Sequence, residues 1–246
     1  MLELTDKKPG VKSFNYYMRE GGFPEYLKYK KKEMLQTLFE DILARDIIVR
    51  YNIRSHKTIK EMALYLLTNA GKEFTYNSLR KTFDQGSTNT ASSFVSHLED
   101  SYLIFTIPKF DYSLKKQQVN PRKTYSIDVG LTNANSVSFS EDKGRILENL
   151  AYLALRREHP EIYYYKGKKE CDFLVKEGKK ITKAIQVCYN LDEDNQERET
   201  QGLIEALDKF SLPEGLILTH DQEDEIKIND KKINIIPTWK WMTKTN

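Results

Sequence analysis

Between residues 33 and 48, EMLQTLFEDILARDII, apolar side chains fall at Met34, Leu35, Leu38, Phe39, Ile42, Leu43 and Ile47. This spacing of three and four predicts an amphipathic helix. The preceding EGGFPEYL reads as a turn, with Gly21 and Gly22 free in backbone angle and Pro24 in the first turn of a new helix. Shorter helices are predicted at TIKEMALYLLTNAGKE, which runs to about Asn69 with Gly71 as its stop, and at TYNSLRKTF. STNTASSFVSHLEDSYLI offers Ser87 or Thr88 as N-cap and an apolar face of Ala91, Phe94, Val95, Leu98 and Tyr102. Two strands, 103–110 and 123–128, then flank a basic loop. Three short helices followed by a basic hairpin match the winged helix-turn-helix pattern.

Residues 131–143 are polar and weakly periodic, and are the expected linker. After them the pattern changes. RILENLAYLALRREH is helical, with Ile146, Leu147, Leu150, Ala151, Ala154 and Leu155 on one face. IYYYK, CDFLV, KAIQVCY, GLILTH, EIKI and INIIP read as strands, and NQERETQGLIEALDKF as a helix between the third and fourth. The order αβββαβ with trailing strands predicts a mixed α/β sheet. The expected division is a helical region at 1–58, a winged helix at 59–135 and an α/β domain at 136–246.

Composition narrows the class. The 246 residues are 39% hydrophobic and 30% charged, which fits a water-soluble chain. No run approaches the roughly 20 apolar residues of a membrane helix, and the N-terminus lacks the pattern of a signal peptide. No membrane partner and a cytoplasmic location are therefore expected. The two cysteines, Cys171 and Cys188, have no zinc-site spacing, and His56, His97, His159 and His220 are scattered. Net charge is +3 but uneven. Residues 1–143 hold 22 Lys and Arg against 17 Asp and Glu, or +5; residues 144–246 hold 17 against 19, or −2.

The candidate chemistry lies in ECDFLVKEGKKITKAIQVCYN, residues 170–190, a predicted hairpin. Side chains alternate across a strand. Cys171, Phe173 and Val175 share an apolar face, as do Ile185, Val187 and Tyr189. The opposite faces gather Glu170 and Asp172 with Gln186 and Cys188, and Glu148 is the polar exception on a neighbouring helix face.

A helical Glu, an Asp on a strand and (Asp/Glu)-x-Lys on the next strand form the PD-(D/E)XK nuclease pattern, which Glu148, Asp172 and Gln186-Val187-Cys188 resemble. The resemblance widens: GGFPEYL, ILARDIIVRYNI, LYLLTNAGKEFTYNSL, TNTASSFVSHLEDSYLI, KTYSIDVGL, GRILENLAYLAL, CDFLV, IQVCYNL and IPTWKWM follow in order. Together they look like the C-terminal half of a family of AAA+-type ATPases, in which a P-loop ATPase domain is joined to a winged helix and a PD-(D/E)XK-like domain. The resemblance implies a P-loop ATPase domain or subunit as partner, and Mg²⁺ as the ion of the nuclease-like site.

The chain departs from that family in two ways. It contains no G-x-x-x-x-G-K-[ST], so ATP hydrolysis by this polypeptide is not expected. Gln186 and Cys188 stand where the nuclease has its acid and lysine, and a neutral amide is a poor ligand for a hard cation. Lys176, Lys180 or Lys183 remain as sources of the missing charge. Glu148, Glu170 and Asp172 are read either as a weak metal site or as carboxylates facing water or lysines. Gln186 fits an amide bonded to backbone, and Cys188 a small buried filler. Residues 87–101 hold no Lys or Arg, leaving Arg80, Lys81, Lys109, Lys115, Lys116, Arg122 and Lys123 as candidate contacts to DNA phosphates. The expected function is a non-catalytic DNA- or protein-docking module; the alternative is a Mg²⁺-dependent endonuclease with a degenerate signature.

Overall fold

The computed structural model describes residues 8–136 and 142–244. It is a mixed α/β chain that parts into two compact units. Residues 16–106 and 121–136 belong to the first, and residues 8–15, 107–120 and 142–244 to the second.

The first unit is mainly helical. Its helices are α1 (Val11–Glu20, which begins in the second unit), α2 (Pro24–Tyr29), α3 (Lys32–Asp41), α4 (His56–Thr68), α5 (Tyr76–Thr82), α6 (Thr88–Asp100) and, further along, α8 (Val129–Asn135). Helix α3 continues into a π-helical stretch, Ile42–Val49. Leu35, Phe39, Leu43 and Ile47 are all buried along this run. Their four-residue spacing drifts about 40° per step on a 3.6-residue helix, and the wider π turns return the later residues to the core face. Strands β1 (Glu73–Phe74), β2 (Ile104–Pro108) and β3 (Arg122–Ser126) form a three-stranded sheet in the order β1-β3-β2. One core joins Leu35 and Phe39 to Ile59, Met62, Leu66, Phe94, Val95 and Leu98. The expected boundary at residue 58 therefore crosses a continuous core.

Local signals explain these elements. Ser87 caps α6 by accepting from Thr90 N, and Thr75 and Ser78 form a capping box at α5. Tyr102 does not extend the apolar face of α6: the helix ends at Asp100, and Tyr102 takes φ 58° and is 62% exposed. The expected linker also begins too early. Asp128 caps α8 through Leu131 N at 2.9 Å, and its second oxygen accepts from Gly22 N at 2.6 Å. Residues 137–141 of that linker lie outside the described residues.

In the second unit, helix α7 (Leu114–Val119) interrupts what the pattern predicts as a plain basic loop. Helix α9 (Lys143–Glu158) precedes β4 (Ile162–Lys166), β5 (Glu170–Glu177) and β6 (Lys180–Val187). Helix α10 (Gln196–Lys209), β7 (Glu214–Thr219), β8 (Asp224–Ile228), β9 (Lys231–Pro237) and α11 (Thr238–Lys244) complete it. The six strands lie in the order β4-β5-β6-β7-β9-β8. β4 to β6 are antiparallel neighbours, and β6-β7 and β7-β9 are parallel. Phe173 pairs with Ile185 and Leu174 with Ala184, so the two pairs point to opposite faces. Tyr152 of α9 stacks on Phe173 at 6.3 Å, whereas Leu203, Ala206 and Leu207 of α10 cluster with Leu174, Ala184 and Ile217. The sheet thus carries α9 on one face and α10 on the other. Among the described residues, no helix is long and apolar enough to cross a membrane.

Candidate functional site

The strand register continues from Leu174–Ala184 to Asp172 and Gln186, on the α10 side. Both are buried, 6% and 7% exposed. A buried amide or carboxylate needs partners, and these two find them close by. Gln186 Oε1 accepts from Asp172 N at 3.2 Å, and Gln186 Nε2 donates to Glu199 Oε2 at 2.9 Å. Asp172 Oδ2 accepts from Val187 N at 3.0 Å, which ties the two strands at this end. Glu199, in the first turn of α10, receives Arg198 Nε at 3.0 Å and Nη2 at 2.7 Å on its other oxygen. Gln186 is thus both donor and acceptor in one small network. A carboxylate there could not donate, and would set one anion against another.

Cys188 lies just beyond β6, with Sγ donating to Asn190 O at 3.1 Å. Burial, and then the Glu199 charge, push its thiol up to about 12. At neutral pH it is therefore a protonated filler and not a nucleophile. Its place beside Gln186 supplies no positive charge.

The remaining proposed ligands come from two other positions. Glu170 is half-buried and paired with Lys166 at 3.4 Å. Glu148 sits on α9, the helix of the other layer, and the carboxylate that Gln186 meets is Glu199. Among the described residues, no group of three or more His, Cys, Asp and Glu side chains is placed to hold a metal ion. Two of the three candidate substitute lysines are turned to other work. Lys176 Nζ lies 2.6 Å from Glu161, and Lys183 Nζ lies 3.1 Å from His159 Nε2.

The basic residues divide between the units. Arg80, Lys81, Arg122 and Lys123 belong to the first, and Lys109, Lys115 and Lys116 to the second. Lys123 is 1% exposed and is removed from the surface contacts expected of it; it lies within β3, in the strand that the sequence predicts from residue 123. Arg122 Nε donates to Thr106 Oγ1 at 3.0 Å. Arg80 Nε donates to Asn77 Oδ1 at 3.3 Å, while Lys81 and Lys115 are exposed. On α6, His97 stacks on Tyr51 at 3.7 Å, and Glu99 accepts from Thr106 N and Oγ1. Asn89, Ser93 and Ser96 remain exposed.

Sequence reasoning missed Glu199 and Glu205. Glu205 Oε1 accepts from Tyr165 Oη at 2.9 Å and Lys168 N at 3.1 Å, and Oε2 accepts from Lys169 N at 3.0 Å. It clamps the β4–β5 turn. Neither glutamate belongs to a sequence motif; only their positions on the sheet-facing helix give them partners.

Comparison with known proteins agrees with a two-part chain. Residues 11–142 match a family model described as Domain of unknown function (DUF8612), and residues 143–241 match one described as Domain of unknown function (DUF4143). An uncharacterised protein of Methanocaldococcus jannaschii is 35% identical over 256 residues, covering 96% of this chain and 56% of that protein. An uncharacterised protein of Haemophilus influenzae is 22% identical over 236 residues, covering 93% of this chain and 58% of that protein. The chain spans little more than half the length of these relatives. No solved structure matches it. The first model covers more than half of the 246 residues, and by that match the chain belongs to the DUF8612 family, with a DUF4143 region following in the same polypeptide.

Proposed function

We propose that this chain is a non-catalytic docking module, acting with a P-loop ATPase domain or subunit and touching DNA through backbone phosphates. The observation that carries this reading is the bonding of Gln186. The position that would need a metal-binding acid holds a neutral amide, engaged by Asp172 N and Glu199. Phosphodiester hydrolysis of this type needs a cation to stabilise developing charge and generate the nucleophile. The element order α4-β1-α5-α6-β2-β3 with sheet order β1-β3-β2 supports a winged-helix reading of the first unit. The order α9-β4-β5-β6-α10-β7 supports a nuclease-like reading of the second. The relatives' extra length leaves room for an ATPase domain.

Two assays test the reading. Purified protein and Asp172→Ala are incubated with single- and double-stranded DNA and either Mg²⁺ or Mn²⁺; neither should cleave. Duplex binding is then followed as salt rises, and should weaken steeply with little dependence on sequence. Replacing Arg80, Lys81, Lys115 and Lys116 by Ala should flatten that slope. Absence of duplex binding at low salt would remove DNA and leave the protein partner. The endonuclease reading keeps one observation in its favour: Glu199 brings a carboxylate to the site from α10. Cleavage that disappears in Asp172→Ala would establish it.

A further inference from the structure

An open cleft of about 770 Å³ lies within the second unit, away from the Asp172–Gln186 network. Its volume is in the range of about 300–1,000 Å³ typical of ligand sites. One wall is aromatic. Phe110 is packed edge-on against Tyr112, Tyr163 and Phe210, with ring centroids 5.2, 5.5 and 5.0 Å away. Three edge-on contacts fix Phe110, and Phe110 in turn holds Tyr112. Yet the Tyr112 side chain is 76% exposed, so the cluster supports a ring that offers most of its surface to solvent.

The other wall is basic. Lys179 comes from the β5–β6 turn, Lys180 from the first position of β6, and Lys209 from the end of α10. None of the three takes a carboxylate partner among the described residues. Lys209 Nζ instead stands 4.8 Å over the Tyr165 ring. The acidic groups of the cleft are already engaged. Glu161 is held by Lys176 at 2.6 Å, and this hydrogen bond keeps its carboxyl below the usual range. Asp111 accepts from Ser113 N at 2.9 Å and faces Lys116 at 3.9 Å. The balance left facing the opening is positive.

A supported, exposed aromatic face beside uncompensated lysines is the combination that binds single strands: bases stack on the ring while cations track the phosphates. A duplex hides its base faces and cannot use the ring. We propose that this cleft binds a short single-stranded stretch of nucleic acid, with a base stacked on Tyr112 and phosphates held by Lys179, Lys180 and Lys209. The proposal is independent of whether the chain contacts duplex DNA, because none of Tyr112, Lys179, Lys180 and Lys209 enters that test.

The experiment is fluorescence anisotropy of the full chain with a labelled oligothymidylate of about 15 nucleotides, long enough for one such site. It is run between about 50 mM and 200 mM salt. Binding is expected at low salt and should weaken as salt rises. Tyr112→Ala should weaken it on the order of tenfold, and Tyr112→Trp should retain it. The triple variant Lys179→Ala, Lys180→Ala, Lys209→Ala should flatten the salt slope by about 2, at roughly 0.7 per lost phosphate contact. Thermal melts of each variant confirm that the fold persists. No binding at low salt would overturn the proposal. So would binding that Tyr112→Ala leaves unchanged, or a duplex of equal length that binds as tightly and depends equally on Tyr112.

Discussion

The Asp172–Gln186 end of the sheet and the Tyr112 cleft belong to the same unit and treat their polar groups in opposite ways. At Asp172 the carboxylate accepts from Val187 N, and the Gln186 amide links Asp172 N to the Glu199 carboxylate. At the cleft, three lysines and an aromatic ring face solvent. The first region lies where the sequence carries a catalytic pattern; the second carries no motif. A pattern of residue types alone thus does not decide what a region binds; the partners each group has taken do. Buried groups that satisfy each other lose little by never meeting a ligand, whereas exposed, uncompensated charge gains from one.

Within the first region, the largest effect expected is on the packing that closes it. A Cβ at Gly202 would sit 1.9 Å from Glu170 O, so α10 rests on β5 only because residue 202 has no side chain. Gly202→Ala should push the helix outward and draw Glu199 from Gln186. Overpacking of this kind costs about 1–3 kcal/mol and sometimes more, a fall of several degrees in Tm for a chain of this size. An unchanged melt would show that the helix is not held so closely, and that the site is more open than its hydrogen bonds suggest.

The next effect tests the network itself. Gln186→Ala removes the acceptor for Asp172 N and the donor to Glu199, and should cost about 1–3 kcal/mol in chemical denaturation. Gln186→Glu sets a second carboxylate against Glu199. Like charges raise a carboxyl's folded pKa. Stability is then fully present below the ordinary carboxylate range and is lost as pH rises through the raised value. The variant should fall further below wild type at pH 8 than at pH 5. If Mn²⁺ restores its Tm at pH 8, the scaffold lacks a metal site by one substitution; if Mn²⁺ stabilises the wild type equally, the closed description of this region fails.

Cys188 gives a chemical reading of the same closure. Its thiol is pushed up to about 12, against about 8.5 in an unfolded chain. The folded form therefore keeps the proton, and the stability this confers is present below about pH 8.5 and lost as pH rises toward 12. Iodoacetamide at pH 8 should label neither Cys188 nor the buried Cys171 in the native protein, and both in denaturant. Rapid native labelling at Cys188 would mean that the Gln186 region opens readily.

Much of this was legible in the sequence. Helices and strands follow from apolar spacing and caps, and strand alternation brings Asp172 and Gln186 to one side. What alternation cannot state is which helix covers that side. Glu148 and Glu199 both lie on helices next to the sheet, and only the layering shows that Gln186 meets Glu199. Lys123 reads as a surface cation because lysines are rarely buried, yet it is enclosed. Tyr102 keeps helical spacing in the sequence, but the turn at Ser101 ends the helix before it. The grouping of residues 107–120 with the second unit depends on long-range contacts, such as Phe110 N to Tyr164 O at 2.8 Å, that no local pattern encodes.

The smallest expected effect sharpens the comparison from its other side. If the Tyr112 ring serves a ligand, removing it should cost the fold almost nothing. The side chain is 76% exposed, and surface substitutions away from caps and cores change stability by no more than about 0.5 kcal/mol. Its inward ties are the edge-on contact to Phe110 at 5.2 Å and a looser tilted contact to Phe210 at 6.5 Å, and Phe110 keeps Tyr163 and Phe210 when Tyr112 is lost. Tyr112→Ala should therefore match wild type in urea denaturation. Phe110→Ala, which empties the centre of the cluster at a side chain only 9% exposed, should cost about 3–5 kcal/mol. A wide gap between the two variants separates the ring that faces outward from the ring that holds it. If Tyr112→Ala proves nearly as costly as Phe110→Ala, Tyr112 belongs to the structural cluster, and the contrast between a closed site and an open cleft loses its second term.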